Sequence, residues 1–349
     1  MNWCLTPAPG PDDHDRHRRI RPALAPRSFD HESYVPGEAA IEAVNTALSL
    51  GKPLLVTGEP GVGKTRLAYH VAWRLGLMAA DDPARPEVLR FDVKSTTEGQ
   101  HLLYRYDAIR HFRASRGEGV DPVLAADFIE LEALGRGIAL AGTPDDRRDV
   151  AGGLDAVVRR AVPDADARLA VVLIDEIDKA PRDVPNDLLR ELDEMSFKIP
   201  ELGADAVVRS TSGIRPFVVI TSNEEKSLPD PFLRRCCFLH LDYPDPGRMK
   251  EIVANQIARA WREAALVADT LAFVAALRKS DAGLRKKPGI AETLDFLREL
   301  RARDAPPEAR LREVEGGEKL AVALFGKDRD DARRIHEAMR HGRDDVAAG

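Results

Sequence analysis

The 349-residue sequence has few cysteines, few aromatic residues and no long apolar run. Its 3 cysteines are Cys4, Cys236 and Cys237, a spacing that indicates neither a disulfide framework nor a zinc site. We expect Cys236 and Cys237 to be small buried hydrophobic residues in a reducing compartment. No stretch approaches the roughly 18 consecutive apolar residues of a membrane span, and the N-terminus lacks a signal-peptide core. These absences argue against secretion and membrane insertion and favour a cytoplasmic protein.

An excess of basic residues is also missing. Lys and Arg total 52 against 58 Asp and Glu, which gives a formal net charge of −6. This balance is typical of a solvated surface and not of a nucleic-acid footprint. The sequence shows no basic stripe, helix-turn-helix pattern or aromatic stacking platform. We therefore expect no nucleic-acid partner.

Residues 1–32 are rich in Pro, Asp, His and Arg and show no hydrophobic periodicity. A segment of this composition cannot bury enough apolar surface to offset the entropy lost on ordering. The sequence therefore predicts a disordered N-terminal arm. Its arginines offer contacts to a phosphate or a partner, but aspartates lie among them, and a solvated tail is the simpler interpretation.

A glycine-rich loop lies between a short apolar strand and a helix. Residues 53–58 read PLLVTG, and the octet GEPGVGKT at 58–65 matches G-x-x-x-x-G-K-[ST]. Its glycines permit backbone angles that let amide N–H groups converge on a polyphosphate at the positive end of the helix. We expect Lys64 to reach the β and γ phosphates and the Thr65 hydroxyl to bind Mg²⁺.

Two further apolar strands end in polar residues. The run LAVVLI at 169–174 leads into Asp175 and Glu176, and PFVVI at 216–220 leads towards Asn223. Near-continuous apolar strands are typical of a parallel sheet, whose carboxyl ends form a ligand crevice. We expect Asp175 to hold Mg²⁺, Glu176 to accept a proton from the attacking water, and Asn223 to orient that water. A turn or capping role is the alternative for Asn223.

Two adjacent arginines, Arg234 and Arg235, precede another short apolar run. The arginine guanidinium is always charged, so an exposed one at a subunit edge can stabilise phosphoryl charge in a neighbouring molecule. The alternative is that each arginine forms an ordinary surface ion pair within its own chain. An arginine that acts on a neighbour implies a head-to-tail assembly, either a closed ring or an open helix.

The order of these motifs resembles an AAA+ ATPase of the MoxR group. The residues that carry the resemblance are GEPGVGKT at 58–65, VLIDEIDKAP at 172–181, NDLLRELDE at 186–194, VVITSNEE at 218–225 and LPDPFLRR at 228–235. The resemblance implies an α/β P-loop NTPase fold, in which a parallel sheet flanked by helices is followed by a small all-helical lid domain. It also implies ATP and Mg²⁺ as ligands, assembly as a ring, usually a hexamer, and chaperone-like remodelling of a protein client or partner. In many members that partner is a von Willebrand factor A domain protein.

The resemblance also sets domain bounds. After the arm at 1–32, an AAA+ nucleotide-binding domain would span 33–245 and a helical lid would span 246–349. The long stretch between the strands predicted at 88–93 and 169–174 indicates an insertion. The resemblance implies that it is a helix-2 insertion, within about 95–168. The segment at 95–115 is predicted to be a loop entering a helix, and its Tyr104 and Tyr106 are either substrate contacts or, more simply, core residues.

By position, Asn223 resembles sensor 1 and Arg235 resembles the arginine finger, with Arg234 as a second candidate. Tyr34 and Val35 resemble part of the wall beside the adenine. The nucleotide-binding set that the resemblance implies is Gly58, Glu59, Pro60, Gly61, Val62, Gly63, Lys64, Thr65 and Arg66.

Two positions depart from the pattern of the family. Asp178 stands where many relatives have Asn, and Gly289 stands where a sensor 2 arginine is expected. Lys286 and Lys287 are the nearby cations that would substitute for that arginine.

Three functions follow from these motifs. The first is an ATP hydrolase that remodels or activates a protein partner. The second is a slowly hydrolysing, nucleotide-dependent signalling or defence switch that docks a partner. The third, a DNA-directed AAA+ machine, has less support because no nucleic-acid-binding feature is present.

Overall fold

The computed structural model describes residues 31–116, 124–143, 146, 153–162, 167–279 and 282–344. The chain divides into two units, residues 1–30 and 31–349, and all described residues belong to the second. The arm predicted at 1–32 therefore lies outside the described residues, apart from His31 and Glu32, as does Cys4.

The strands and helices of the described residues are numbered in chain order. The strands are β1 (Leu54–Gly58), β2 (Met78–Ala79), β3 (Asp82–Pro86), β4 (Val88–Asp92), β5 (Tyr104–Tyr106), β6 (Ile129–Leu131), β7 (Val171–Asp175), β8 (Ser196–Lys198), β9 (Val207–Arg209), β10 (Phe217–Thr221) and β11 (Cys237–Leu241). The α-helices are α1 (Glu38–Leu50), α2 (Lys64–Arg74), α3 (Ala108–Ser115), α4 (Ala133–Ala141), α5 (Leu154–Ala161), α6 (Val184–Asp187), α7 (Leu189–Glu194), α8 (Asp230–Leu233), α9 (Pro246–Gln256), α10 (Ala265–Leu277), α11 (Ile290–Ala302), α12 (Gly317–Phe325) and α13 (Arg329–Asp344).

The centre of the molecule is a five-stranded sheet in the order β11-β1-β10-β7-β4. All neighbouring strands are parallel, with Leu54 opposite Val219 and Phe217 opposite Val171. Every residue of β1, β7 and β10 is buried, which explains their near-continuous apolar sequences. Because the strands are parallel, β1, β7 and β10 end at the same edge of the sheet.

Apolar clusters cover both faces of this sheet. On one face, α1 and α2 pack Val44 and Leu67 against strand residues such as Val56. On the other face, α4 packs Ile138 in the cluster that holds Val172 of β7. The predicted arrangement, a parallel sheet flanked by helices and followed by a helical C-terminal region, is confirmed.

Short antiparallel strand pairs form outside the central sheet, and the sequence patterns did not predict them. They are β2 with β3, β5 with β6, and β8 with β9. The helix predicted within 95–115 is wrong for residues 104–106, which form β5, and α3 begins only at Ala108. Tyr104 is buried, and its hydroxyl donates a 2.8 Å hydrogen bond to Glu201. This long-range contact favours the core interpretation of Tyr104.

Residues 246–344, which we call the helical region, contain α9 to α13. These helices share an apolar cluster that includes Leu294, Phe296 and Phe325. Asp245 caps α9 by accepting a hydrogen bond from the Arg248 N–H. Helix α12 ends at Phe325 and α13 begins at Arg329, so the chain leaves the helical conformation at Gly326.

None of the helices in the described part of the chain combines the length and the apolar content of a membrane span. Cys236 and Cys237 are half-buried and unbridged, and each packs at the margin of a different apolar cluster. Burial raises the pKa of the Cys236 thiol to about 12. The two cysteines are therefore less deeply buried than the sequence suggested.

Phe232 and Phe238 provide a matched test of this core. Phe232 of α8 is 0% exposed, whereas Phe238 of β11 is 62% exposed. We expect Phe232→Ala to lower the free energy of unfolding by about 3–5 kcal/mol through loss of buried area and an unfilled cavity. Phe238→Ala should change it by less than about 0.5 kcal/mol. Urea titrations followed by circular dichroism measure both values, and equal effects would contradict the assigned packing.

Candidate functional site

The glycine-rich loop joins the end of β1 to the start of α2. Gly58, Gly61 and Gly63 all have positive φ angles, of 138°, 82° and 103°. At Gly58 a Cβ atom would lie 2.3 Å from the carbonyl oxygen of Leu241, so only glycine fits. No side chain caps the N-terminus of α2. The first N–H groups of this helix are therefore left for an acceptor outside the helix.

Lys64 is the cation of this site. Its side chain lies among protein atoms, and the residue is only 6% exposed. The Nζ atom donates hydrogen bonds to the carbonyl oxygens of Gly58 (2.7 Å) and Glu59 (3.0 Å) and to Oδ1 of Asn223 (2.7 Å). Burial lowers the pKa of the Lys64 ammonium, and nearby carboxylates, first Asp178, oppose that shift.

Asp175 ends β7 and lies beside Thr65. The Thr65 hydroxyl donates to Oδ1 of Asp175 at 3.0 Å, and the Thr221 hydroxyl donates to the same oxygen at 2.6 Å. Arg90 of β4 lies 3.0 Å from Oδ2 and also pairs with Asp92. Thr221 and Arg90 were not predicted from the sequence. The one available signal was that Arg90 is a charged residue between the apolar Leu89 and Phe91.

Glu176 follows β7 in a left-handed backbone conformation, with φ of 62°. Its N–H donates to the Thr221 hydroxyl at 2.8 Å. Oε1 accepts a 3.1 Å hydrogen bond from Nδ2 of Asn223, and Oε2 accepts one from the Lys179 ammonium. The bond from Lys179 is the largest cause of a pKa below the ordinary value for Glu176, with burial acting in the opposite direction. The carboxylate is therefore held in its charged form.

Asp178 fixes the segment after β10 that carries Asn223. Its Oδ2 accepts hydrogen bonds from the N–H groups of Asn223 (3.1 Å) and Glu225 (3.0 Å). Asp178 is buried, and its other oxygen, Oδ1, has no hydrogen-bond partner among the described residues. Asp178, which stands where many relatives have Asn, is thus a hydrogen-bond acceptor that orders the backbone around Asn223.

Two clefts meet at the glycine-rich loop. The larger, of about 380 Å³, has Tyr34 on its wall, and a Cβ on Gly63 would lie 3.2 Å from the Tyr34 ring. Burial raises the pKa of Tyr34 to about 12. The smaller cleft, of about 230 Å³, is lined by Pro60, Gly61, Gly63, Lys64, Thr65, Arg66, Asp175, Glu176, Thr221, Asn223 and Ala291. The larger one is lined by Tyr34, Val35, Gly61, Val62, Gly63 and Arg66, by residues around β11, and by Gln256 and Ile290 of the helical region.

The helical region contacts this site directly. Gln256 accepts hydrogen bonds from Arg66 at 3.2 Å and from Arg298 at 3.1 Å. At Gly289 a Cβ atom would lie 3.3 Å from the carbonyl oxygen of Pro60, so the start of α11 lies against the loop. Lys286 and Lys287, the cations expected to replace a sensor 2 arginine, are exposed and line neither cleft.

The two arginines expected to act on a neighbour differ in their surroundings. Nε of Arg235 lies 2.6 Å from Oδ2 of Asp193, and its Nη1 donates to the carbonyl oxygen of Pro231. Arg234 is exposed, and its side chain has no hydrogen bond or ion pair within the described residues. Neither arginine lines a cleft around the glycine-rich loop.

The structure therefore brings most of the predicted site together. The smaller cleft gathers a loop that can bind a polyanion, an adjacent hydroxyl and carboxylate with hard oxygen atoms, and a second carboxylate hydrogen-bonded to an amide. The predicted wall residues Tyr34 and Val35 line the larger cleft beside it. Arg234 and Arg235 lie elsewhere on the same chain.

Comparison with known families bears on the same residues. A family model described as "AAA domain (dynein-related subfamily)" matches residues 53–236, which is more than half of the 349-residue chain. The matched range begins one residue before β1 and ends one residue before β11. A comparison with curated proteins gives no match. The family match shows that the chain belongs to the AAA domain family, in its dynein-related subfamily.

Proposed function

We propose that this chain is a Mg²⁺-dependent ATP hydrolase of the MoxR-like class, which couples ATP binding and hydrolysis in a ring oligomer to remodelling or activation of a protein partner. Membership of the AAA family means a nucleotide-dependent activity. The observation that carries the proposal is the convergence of Lys64, Thr65, Asp175, Glu176 and Asn223 on one cleft. In this proposal, residues 33–245 are the nucleotide-binding domain and the helices from residue 246 are its lid.

The two clefts suit the two parts of ATP. The triphosphate would occupy the smaller cleft, where the uncapped N-terminus of α2 and the Lys64 ammonium offer N–H donors. The Lys64 bond to Asn223 can be exchanged for bonds to phosphate oxygens, while those to Gly58 and Glu59 anchor the side chain. The adenine would occupy the larger cleft, beside Tyr34 and Val35. The volume of this cleft is within the range of ligand pockets.

Thr65 and Asp175 would hold Mg²⁺. A hydroxyl and a carboxylate 3.0 Å apart offer the oxygen donors that this ion prefers, and Mg²⁺ is commonly bound by one or two carboxylates plus substrate phosphates. When bound, Mg²⁺ supplies positive charge to the β and γ phosphates. Arg90 and Thr221 position the Asp175 carboxylate through its two oxygens.

Hydrolysis in this proposal depends on Glu176 and Asn223. A water oxygen attacks the γ phosphorus, and its proton passes to a Glu176 oxygen. The bond from the γ phosphorus to the bridging oxygen breaks, which releases ADP and inorganic phosphate. Glu176 is ionised at neutral pH and can accept the proton, while its lowered pKa extends the ionised form to lower pH. Asn223 fixes the carboxylate by donating to it, and Lys64 neutralises charge on the phosphates.

The positions of the two arginines support action between subunits. Arg234 is exposed and unpaired within the described residues, so its guanidinium is available to a neighbour's γ phosphate. Arg235 would first have to leave Asp193. In a closed ring, a head-to-tail contact between neighbouring subunits would supply such an arginine to every nucleotide site. A hexamer and a von Willebrand factor A domain partner are proposed from the resemblance to the MoxR group.

One observation favours a slow enzyme, the signalling or defence switch. Glu176 is engaged by both Lys179 and Asn223, and Lys64 is engaged by Asn223. A subunit in this state has its base and its cation occupied. ATP turnover per subunit, followed as the protein concentration is raised, distinguishes a switch with constant slow turnover from an assembly-activated hydrolase.

Glu176→Gln separates binding from hydrolysis. The amide can still accept the hydrogen bond from Asn223 but cannot take a proton from water. We expect ATP binding to be retained and hydrolysis to fall by about 10²- to 10⁴-fold. Equilibrium binding and phosphate release measure the two effects, and Glu42→Gln on the exposed face of α1 is the control. Undiminished turnover in the Glu176 variant would remove this residue as the base.

Lys179→Gln should change the pH dependence of hydrolysis. The reaction requires ionised Glu176, so its rate falls as pH drops through the pKa of that carboxyl. Lys179 is the main cause of the lowered pKa, and its loss brings the pKa back towards 4.5. The acid limb of the single-turnover rate should therefore move to higher pH. Lys226→Gln is the control, since the ammonium of Lys226 donates to the carbonyl oxygens of Lys179 and Ala180 and, among the residues that the structure describes, to no carboxylate. An acid limb that does not move would contradict the assignment.

A further inference from the structure

Glu59 places a negative charge inside the loop that would bind a triphosphate. It is the second residue of the glycine-rich loop, and its carbonyl oxygen accepts a hydrogen bond from Lys64. A carboxylate at this position repels the negatively charged phosphates. It therefore needs a positive partner that Lys64 cannot provide, because the Lys64 ammonium bonds to carbonyl oxygens and to Asn223.

Arg278 is that partner. Its Nη2 lies 2.7 Å from Oε2 of Glu59, and the arginine side chain is only 13% exposed. Its Nη1 donates a 2.8 Å hydrogen bond to the carbonyl oxygen of Pro288. The guanidinium carbon lies 3.8 Å from the centre of the Tyr243 ring, as in a cation–π contact. Three different segments thus fix the orientation of one guanidinium.

These contacts join parts of the chain that are far apart in sequence. Arg278 directly follows α10 of the helical region, and 219 positions separate it from Glu59. Tyr243 precedes α9, and Pro288 precedes α11. Val62 of the glycine-rich loop packs in the apolar cluster of the helical region. The charge balance of the loop therefore depends on where the helical region lies.

We propose that Arg278 is a positioning residue for the nucleotide site, which acts by neutralising Glu59 and thereby makes ATP affinity depend on the docked helical region. This inference rests on the proposed function. Without Arg278, the carboxylate of Glu59 would carry an unpaired negative charge within the phosphate-binding loop, even though Glu59 itself lines neither cleft. ATP carries more negative charge than ADP, so loss of Arg278 weakens ATP binding more than ADP binding.

A purely mechanical brace would behave differently. If Arg278 only held the helical region in place, its removal would weaken nucleotide binding whether or not Glu59 carries a charge. If it neutralises Glu59, its removal has little effect once the carboxylate has become an amide. A double-mutant cycle between the two positions measures this difference directly.

The test measures the dissociation constants of ATP and ADP, with Mg²⁺ present, for the full chain. The variants are Arg278→Ala, Arg278→Lys, Glu59→Gln and Glu59→Gln combined with Arg278→Ala. We expect Arg278→Ala to weaken ATP binding about five- to tenfold, at the low end for coupled sites because Glu59 is partly exposed to solvent. ADP binding should weaken less, Arg278→Lys should stay close to the wild type, and Glu59→Gln should restore most of the affinity lost by Arg278→Ala.

The matched control is Arg310→Ala. Arg310 forms a similar pair with Asp269 in the helical region, at 2.8 Å, and lines neither cleft. It should leave both affinities unchanged. Unchanged ATP affinity in Arg278→Ala, or an equal loss in the Glu59→Gln background, overturns this inference while the proposed function stands. A wild-type chain that binds no ATP overturns both.

Discussion

The organisation of the site depends on one buried ammonium group. Lys64 begins α2 at the edge where the central strands end, and an ammonium there must have acceptors because burial disfavours its charge. Two acceptors are carbonyl oxygens of Gly58 and Glu59, and the third is Asn223, which follows β10. The strand order places β10 beside β1, so the fold itself brings Asn223 to Lys64. On its other side β10 lies beside β7, which brings Thr221 to Asp175 at the end of β7.

A second constraint comes from the helical region. The glycine-rich loop lies between the sheet and these helices, with Val62 in their apolar cluster and Gly289 close to Pro60. Arg278 adds a charge contact to Glu59. The loop therefore receives its shape from its glycines and the sheet, and part of its charge balance from the helical region. Movement of these helices would change the electrostatics of the site as well as its access.

Local patterns predicted the parts of this site that local chemistry determines. The octet at 58–65 and the apolar strands ending near Asp175 and Asn223 are read from consecutive residues, because glycine angles and burial on both faces leave a direct mark on the sequence. The pairing of β5 with β6 was missed because each strand is only three residues long and α3 lies between them in the chain. Its position also depends on distant contacts such as that of Tyr104 with Glu201.

The unpredicted contacts are those between residues far apart in the chain. Nothing near Arg90 in the sequence shows that it reaches Asp175, and nothing near Arg278 indicates Glu59. The difference between Arg234 and Arg235 likewise depends on Asp193, which lies in a separate helix. Such pairings follow from strand order and helix packing, which a single sequence does not specify.

The most direct test of the account is calorimetric titration of ATP, with Mg²⁺, into the wild-type chain and into Lys64→Ala. The account predicts saturable binding to one site per wild-type chain and loss of that binding in the variant, because the buried ammonium is the cation that exchanges Asn223 for phosphate. No binding by folded wild-type protein, or equal binding by both proteins, would contradict it.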